Sequence, residues 1–165
     1  MTYRANDHLE ILKPFQRATV DYVFQRLFTD ASPTRQFLVA DEVGLGKTMV
    51  ARGVIAKTIE QLTGKVDRID VVYICSNQAI AEQNIKSLNV IGSATKPLNT
   101  RLTLLPLEIE QEGGIASRPI NLISLTPGTT LDLKSSLGTA KERALIYEML
   151  RKRLGIRHGG VQRIF

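Results

Sequence analysis

Lys47 and Thr48 follow two glycines, Gly44 and Gly46, at the end of the run Phe37 to Thr48, F-L-V-A-D-E-V-G-L-G-K-T. Glycine admits backbone angles closed to other residues, so the N–H groups of Val43, Gly44, Leu45, Gly46 and Lys47 can converge on one anion without side chains in the way. Lys47 adds a mobile positive charge suited to the β and γ phosphates of a nucleotide, and Thr48 offers a hydroxyl to Mg²⁺. A helix opening at Lys47 points the positive end of its dipole at the same anion. The chemistry is phosphate binding, with Lys47 and Thr48 as the groups that could also assist catalysis.

The strict pattern G-x-x-x-x-G-K-[ST] requires glycine at position 41, where this chain has Asp41. The bland alternative is a glycine-rich turn with a coincidental lysine. The apolar run before the loop and the helical pattern after it supply the strand and helix that a phosphate cradle needs, and favour the cradle.

The remaining composition bounds the setting. The chain has 165 residues, 43% hydrophobic and 23% charged, which is one ordinary soluble domain with room for a core. The polar N-terminus M-T-Y-R-A-N-D-H has no signal-peptide pattern, and no apolar run is long enough to span a bilayer. With Cys75 the single cysteine, neither a disulfide framework nor a cysteine metal site is expected, and a cytoplasmic location is the default. Five of the six net positive charges fall between Thr139 and Phe165, on Lys141, Arg143, Arg151, Lys152, Arg153, Arg157 and Arg163 against Glu142 and Glu148. Such a segment can meet nucleic-acid phosphates, or it can be a solvated face that complements a helix dipole.

The elements that must position the loop follow from apolar periodicity. A helix is expected from Pro14 to the A-S-P-T turn at Ala31 to Thr34, within an N-terminal region of residues 1–35. A strand follows at Gln36 to Ala40, then the loop, then a helix from Lys47 to about Thr63 closed by Gly64. A second strand, Ile69 to Cys75, is a continuous apolar run of the kind covered on both faces of a parallel sheet. Ser76 and Asn77 can cap a helix from Gln78 to Val90 that ends at Gly92. Residues 93–119, with Leu102 to Leu107 broken by Pro106 and the acidic E-I-E-Q-E, read as an edge strand or an insertion. A third parallel strand is expected at Ile120 to Leu125, then the turn T-P-G-T, then a helix from Thr139 to Leu154. Alternating strands and helices argue for an α/β fold with a mostly parallel sheet flanked by helices, in one domain spanning 1–165.

These pieces, in this order, resemble superfamily-two helicases. A-D-E-V-G-L-G-K-T is similar to motif I of the Swi/Snf-type DNA translocases, in which Asp occupies the first position. L-K-P-F-Q at Leu12 to Gln16 resembles their L-R-P-Y-Q element, which implies that Gln16 reads the adenine edge, with Phe15 packing nearby. V-V-Y-I-C-S ending at Ser76, with Gln83 beyond, resembles motif Ia, which implies contact with a nucleic-acid backbone. T-P-G at Thr126 to Gly128 is similar to motif Ib of the DEAD-box members, which grips a strand phosphate; those members have Arg next, and this chain has Thr129. Pro-Gly is also an ordinary turn. The resemblance implies a RecA-like P-loop domain, ATP and Mg²⁺ as ligands, Thr48 on the metal, and nucleic acid, most simply DNA, as partner.

The same family carries an Asp-Glu motif after a later apolar strand, holding Mg²⁺ and orienting the attacking water. Here Asp41 and Glu42 form the only Asp-Glu pair, inside the loop itself. The Ser/Thr-Ala-Thr motif, the second RecA-like domain and its arginine finger are also missing. Phosphoryl transfer draws on all of these, and losing an arginine finger alone costs about a thousandfold or more. The expectation is therefore a partial RecA-like domain, a fragment of a larger motor that binds ATP without turning it over. The uncapped apolar end Val161 to Phe165 agrees with a fragment. The competing expectation is a non-hydrolysing module that binds nucleotide or a partner, with an unpaired sheet edge open to the remainder of a motor or to another copy. A P-loop kinase is a third, which the L-K-P-F-Q element disfavours. Arg52 is expected on the first exposed turn after the loop, where it is either close enough to approach the nucleotide or, the favoured reading, a surface helix residue, and Cys75 is expected in the core.

Overall fold

The computed structural model describes residues 3–92, 98–99, 104–126 and 140–155. Helices α1 (Asn6–Leu9), α2 (Pro14–Phe24), α3 (Lys47–Leu62), α4 (Gln78–Leu88), α5 (Leu105–Glu110) and α6 (Ala140–Leu154) surround strands β1 (Ile69–Ile74), β2 (Leu98–Asn99) and β3 (Ile120–Leu125). The sheet is parallel, in the order β1-β3-β2, with Ile69 opposite Ile120 and Ile74 opposite Leu125.

Pro14 starts α2 where its missing N–H costs nothing, and the helix runs on through a wider π turn, Gln25–Thr29. Arg26 pairs with Asp30 across that turn, and Asp30 Oδ1 accepts from the Ala31 N–H at 2.8 Å, which ends it. Helices α2 and α3 pack closely because Gly53 has no side chain. A Cβ there would lie 2.7 Å from Val20 Cγ2 and 3.1 Å from Leu12 Cδ1. Around this crossing Ala5, Leu9, Leu12, Val20, Val50, Ala56 and Ile59 form the core with Ile69 and Val90. Each large aliphatic side chain buried there contributes about 1.5–3 kcal/mol. Lys57 closes the edge of the interface, with Nζ 2.8 Å from Asp21 Oδ1 and 4.7 Å from the centre of the Phe24 ring.

The two strands of the β1–β3 pair differ in burial. β3 is buried along its middle on both faces, as a central strand should be. β1 is an edge: Ile69 is buried, Val71 and Tyr73 are half-buried, and Asp70, Val72 and Ile74 face solvent. Coverage on both faces, expected for Ile69 to Cys75 from its apolar run, therefore holds for β3 and not for β1. The buried amide of Asn121 fastens β3, donating to Asp70 Oδ1 at 2.8 Å and to the Ile115 carbonyl at 3.0 Å.

The expected strand Gln36 to Ala40 is absent as a strand. Its Phe-Leu-Val sequence has the propensity, but a strand exists through its partner, and among the described residues none pairs with this backbone. Phe37 instead packs edge-on against Tyr22, with ring centres 5.7 Å apart, and Leu38 is left 83% exposed. Of the apolar piece Leu102 to Leu107, Leu102 and Thr103 lie outside the described residues, and the chain from Leu105 is helical. Pro106 sits in the first turn of α5, where a proline is tolerated, and the edge strand of this region is β2. Pro127 to Thr129 of the T-P-G-T turn, Thr139 at the expected start of the last helix, and residues 156–165 lie outside the described residues.

Candidate nucleotide and nucleic-acid site

The loop before α3 has the backbone that its glycines permit. Gly44 has φ 90° and Gly46, the residue preceding α3, has φ 83°, both in the left-handed region. Leu45 N–H makes one long contact, 3.5 Å, to the Glu42 carbonyl. The N–H groups of Val43, Gly44, Gly46, Lys47 and Thr48 have no acceptor among the described residues. Unpaired donors converging at a helix start are the electrostatic form of an anion site.

Lys47 is folded back over this loop. Its Nζ donates to the Asp41 carbonyl at 2.7 Å and to the Glu42 carbonyl at 3.0 Å. Asp41 and Glu42 thus meet the ammonium through main-chain oxygens.

Gln16 reaches the same loop from the other side. It is 7% exposed, its Oε1 accepts from the Lys13 N–H at 3.0 Å, and its Nε2 donates to the Leu45 carbonyl at 2.9 Å. A Cβ on Gly46 would come within 2.4 Å of that Nε2. The glutamine and the glycine-lysine turn are therefore one packed unit, and Phe15 lies beside it half-exposed. One N–H and one lone pair of the Gln16 amide remain for another partner.

Behind Lys47 and Thr48 a cavity of about 420 Å³ runs between α3 and β1, lined mainly by Ala51, Ile55, Val71, Val72 and Leu88. Tyr73 also lines it; its hydroxyl accepts from Asn84 Nδ2 at 2.8 Å, and burial raises its pKa.

The expected nucleic-acid residues lie at one end of the sheet. Cys75 N–H donates to the Leu125 carbonyl at 3.2 Å, which places Ser76 and Thr126 together past the carboxyl ends of β1 and β3. Ser76 is exposed at the entry to α4, whose cap is Asn77, with Oδ1 3.2 Å from the Ile80 N–H. Thr126 is buried. Gly128 lies outside the described residues. Gln83 is exposed on α4, and Cys75 is only half-buried.

Arg52 corrects an expectation. It is half-buried and bonded across the fold: Nη1 donates to the Ser87 carbonyl in the last turn of α4 at 3.0 Å, and Nη2 lies 3.3 Å from His8 Nδ1. Tyr3 stacks on His8 with ring centres 5.9 Å apart, and Glu60 Oε1 accepts from the Ala5 N–H at 3.0 Å. The arginine thus ties the phosphate-loop helix to α4 and to the N-terminal segment. Its position one turn past Thr48 gave no sign of this in the sequence, because its partners are a carbonyl and a residue 44 positions away.

Residues 14–151 match the family model described as DEAD/DEAH box helicase. The match takes in α2, the loop, the sheet and most of α6, and the chain belongs to that family. Its helices and short parallel sheet are those of an α/β, partial RecA-like domain. No curated protein and no solved structure matches the chain. Among the described residues no helix is long and apolar enough to cross a membrane.

Proposed function

We propose that this chain is the ATP-binding portion of an ATP-dependent helicase or DNA translocase of the Swi/Snf type. The observation that carries the reading is that the N–H groups of Val43, Gly44, Gly46, Lys47 and Thr48 have no acceptor among the described residues, with Lys47 held by two carbonyls that it can exchange for phosphate. The donor set suits a polyphosphate: main-chain dipoles, one ammonium and one hydroxyl. Lys47 would swing from Asp41 and Glu42 onto the β and γ phosphates. Thr48 would hold Mg²⁺, which when bound neutralises phosphate charge. The free N–H and lone pair of Gln16 suit the adenine edge, and DNA is the partner that the Swi/Snf-type loop favours at Ser76, Thr126 and Gly128.

Hydrolysis requires more than these residues supply. Among the described residues no three of His, Cys, Asp and Glu come together to hold a metal, and no Asp-Glu pair follows the loop in the sequence. Lys47 and Thr48 would then bind and polarise the phosphates with nothing to orient the attacking water. Titration calorimetry with ATP-Mg tests the reading. Lys47→Ala should weaken binding by roughly ten- to a hundredfold, the worth of a charge-assisted hydrogen bond. Equal affinity in both chains would mean that the loop does not hold the phosphates. Purified chain should show no DNA-stimulated phosphate release, and clear turnover would contradict the assignment of hydrolysis to other segments.

A further inference from the structure

Helix α6 buries Glu142 in its first turn and Tyr147 at its middle, while a stripe of aliphatic side chains from Ile146 onward is left exposed. Ile146, Met149, Leu150 and Leu154 are 37%, 54%, 46% and 65% exposed, at i, i+3, i+4 and i+8. Those spacings put them on one face. Arg153, seven residues after Ile146 and four after Met149, stands within the same stripe.

The charges of the last turn are unevenly engaged. Arg151 is held by Glu148, with Nη2 2.7 Å from Oε2. Lys152 and Arg153 are exposed and have no ion pair among the described residues. The face therefore offers four aliphatic contacts around one guanidinium, with a second cation nearby, neither in an ion pair among the described residues.

We propose that this face of α6 docks an acidic amphipathic helix of a protein partner, its leucine-type residues lying on the stripe and its carboxylates meeting Arg153 and Lys152. Charge complementarity selects this occupant. A nucleic-acid backbone could meet the two cations but would leave the aliphatic side chains without a counterpart. An anionic membrane would have to take Arg153 down with the stripe into the acyl region, at a cost that an amphipathic helix with its cations confined to the opposite face does not meet. A second copy of α6 would bring two positive faces together.

The test uses the full chain and a fluorescein-labelled helical peptide with leucines at i, i+3, i+4 and i+7 and glutamates flanking them. Fluorescence anisotropy should show saturable binding. Leu150→Asp and Arg153→Glu should each weaken it about tenfold, as for a central contact. Exchanging the peptide's glutamates for lysines should restore affinity for the Arg153→Glu chain. Circular dichroism should be unchanged in both variants, since both positions are exposed; Met149→Lys replaces Leu150→Asp if that chain misfolds. No saturable binding, or binding indifferent to all three substitutions, overturns the proposal. So does tighter attachment to phosphatidylserine vesicles or to an oligonucleotide than to the peptide. A dimer in sedimentation velocity that Leu150→Asp dissolves would assign the face to a second copy and overturn it as well.

Discussion

The side-chain amide of Gln16 donates to the main-chain carbonyl of Leu45 at 2.9 Å, joining the start of α2 to the middle of the phosphate loop. Gln16→Ala removes that bond and leaves the Leu45 carbonyl without its side-chain donor. We expect a loss of about 1 kcal/mol in stability. If the bond also sets the loop, the ATP-Mg dissociation constant should rise about fivefold. A lowered denaturant midpoint with unchanged affinity would make Gln16 a support of the fold and not of the loop.

Gly46→Ala should damage the same unit more severely. Alanine at φ 83° is strained by about 1–3 kcal/mol, and its Cβ would meet Gln16 Nε2 at 2.4 Å. Gln16 is held at both ends and cannot yield without releasing Lys13 or Leu45. Urea titration of Gly46→Ala, Gln16→Ala and the double variant should show less than additive loss, because the second substitution removes the clash and leaves the strain. Strict additivity would mean that the two residues do not touch.

At Gly53 two effects compete. Alanine in a helix interior ordinarily gains about 1 kcal/mol over glycine. Here the added carbon lies 2.7 Å from Val20 Cγ2, and Val20 is completely buried, so overpacking of about 1–3 kcal/mol should win. Gly53→Ala should lower the thermal midpoint, and Val20→Ala in the same chain should give part of it back. A stabilised single variant would show that α2 and α3 can move apart freely.

Much of this site was legible in the residues because its signals are local. The glycine angles, the lysine and threonine, and the glutamine element each sit within a few residues of their neighbours, and Ile120 to Leu125 reads as a strand and is one. What escaped depends on distant partners. Among the described residues Gln36 to Ala40 has strand composition but no strand pairing with it, and β1 has a buried-strand sequence at the edge of the sheet. Arg52 is a surface-type residue by pattern, yet it is bonded to Ser87 and His8. Pro106 suggested a broken strand, and a helix start uses the same residue.

Tyr3 gives a pH dependence with a definite sign. Burial, partly opposed by Arg52 and reinforced by Glu60 and Asp7, pushes its pKa up to about 12 from 10.0. The folded chain therefore keeps a proton that the unfolded chain loses, so stability is complete below pH 10 and falls as pH rises toward about 12. The buried Tyr3 hydroxyl has no hydrogen-bond partner among the described residues, so Tyr3→Phe should cost little at neutral pH. It should also flatten the alkaline decline in urea midpoints. An unchanged decline would place the titrating group elsewhere.

The pairing of β1 with β3 joins Asp70 to Asn121 across 51 residues, whereas the α2–α3 crossing and the Gln16–Leu45 bond close much shorter loops. Shorter closures cost less chain entropy, so the route to the native state has an expected order. The helical half, with its glycine-lysine turn already shaped, should gain protection first, and the sheet should zip up afterwards. Pulse-labelling hydrogen exchange during refolding would resolve the two stages, and simultaneous protection of α3 and β3 amides would contradict that order. If the loop binds nucleotide as proposed, a nucleotide present during refolding would meet it before the strand ends that lead to Ser76 and Thr126 have come together.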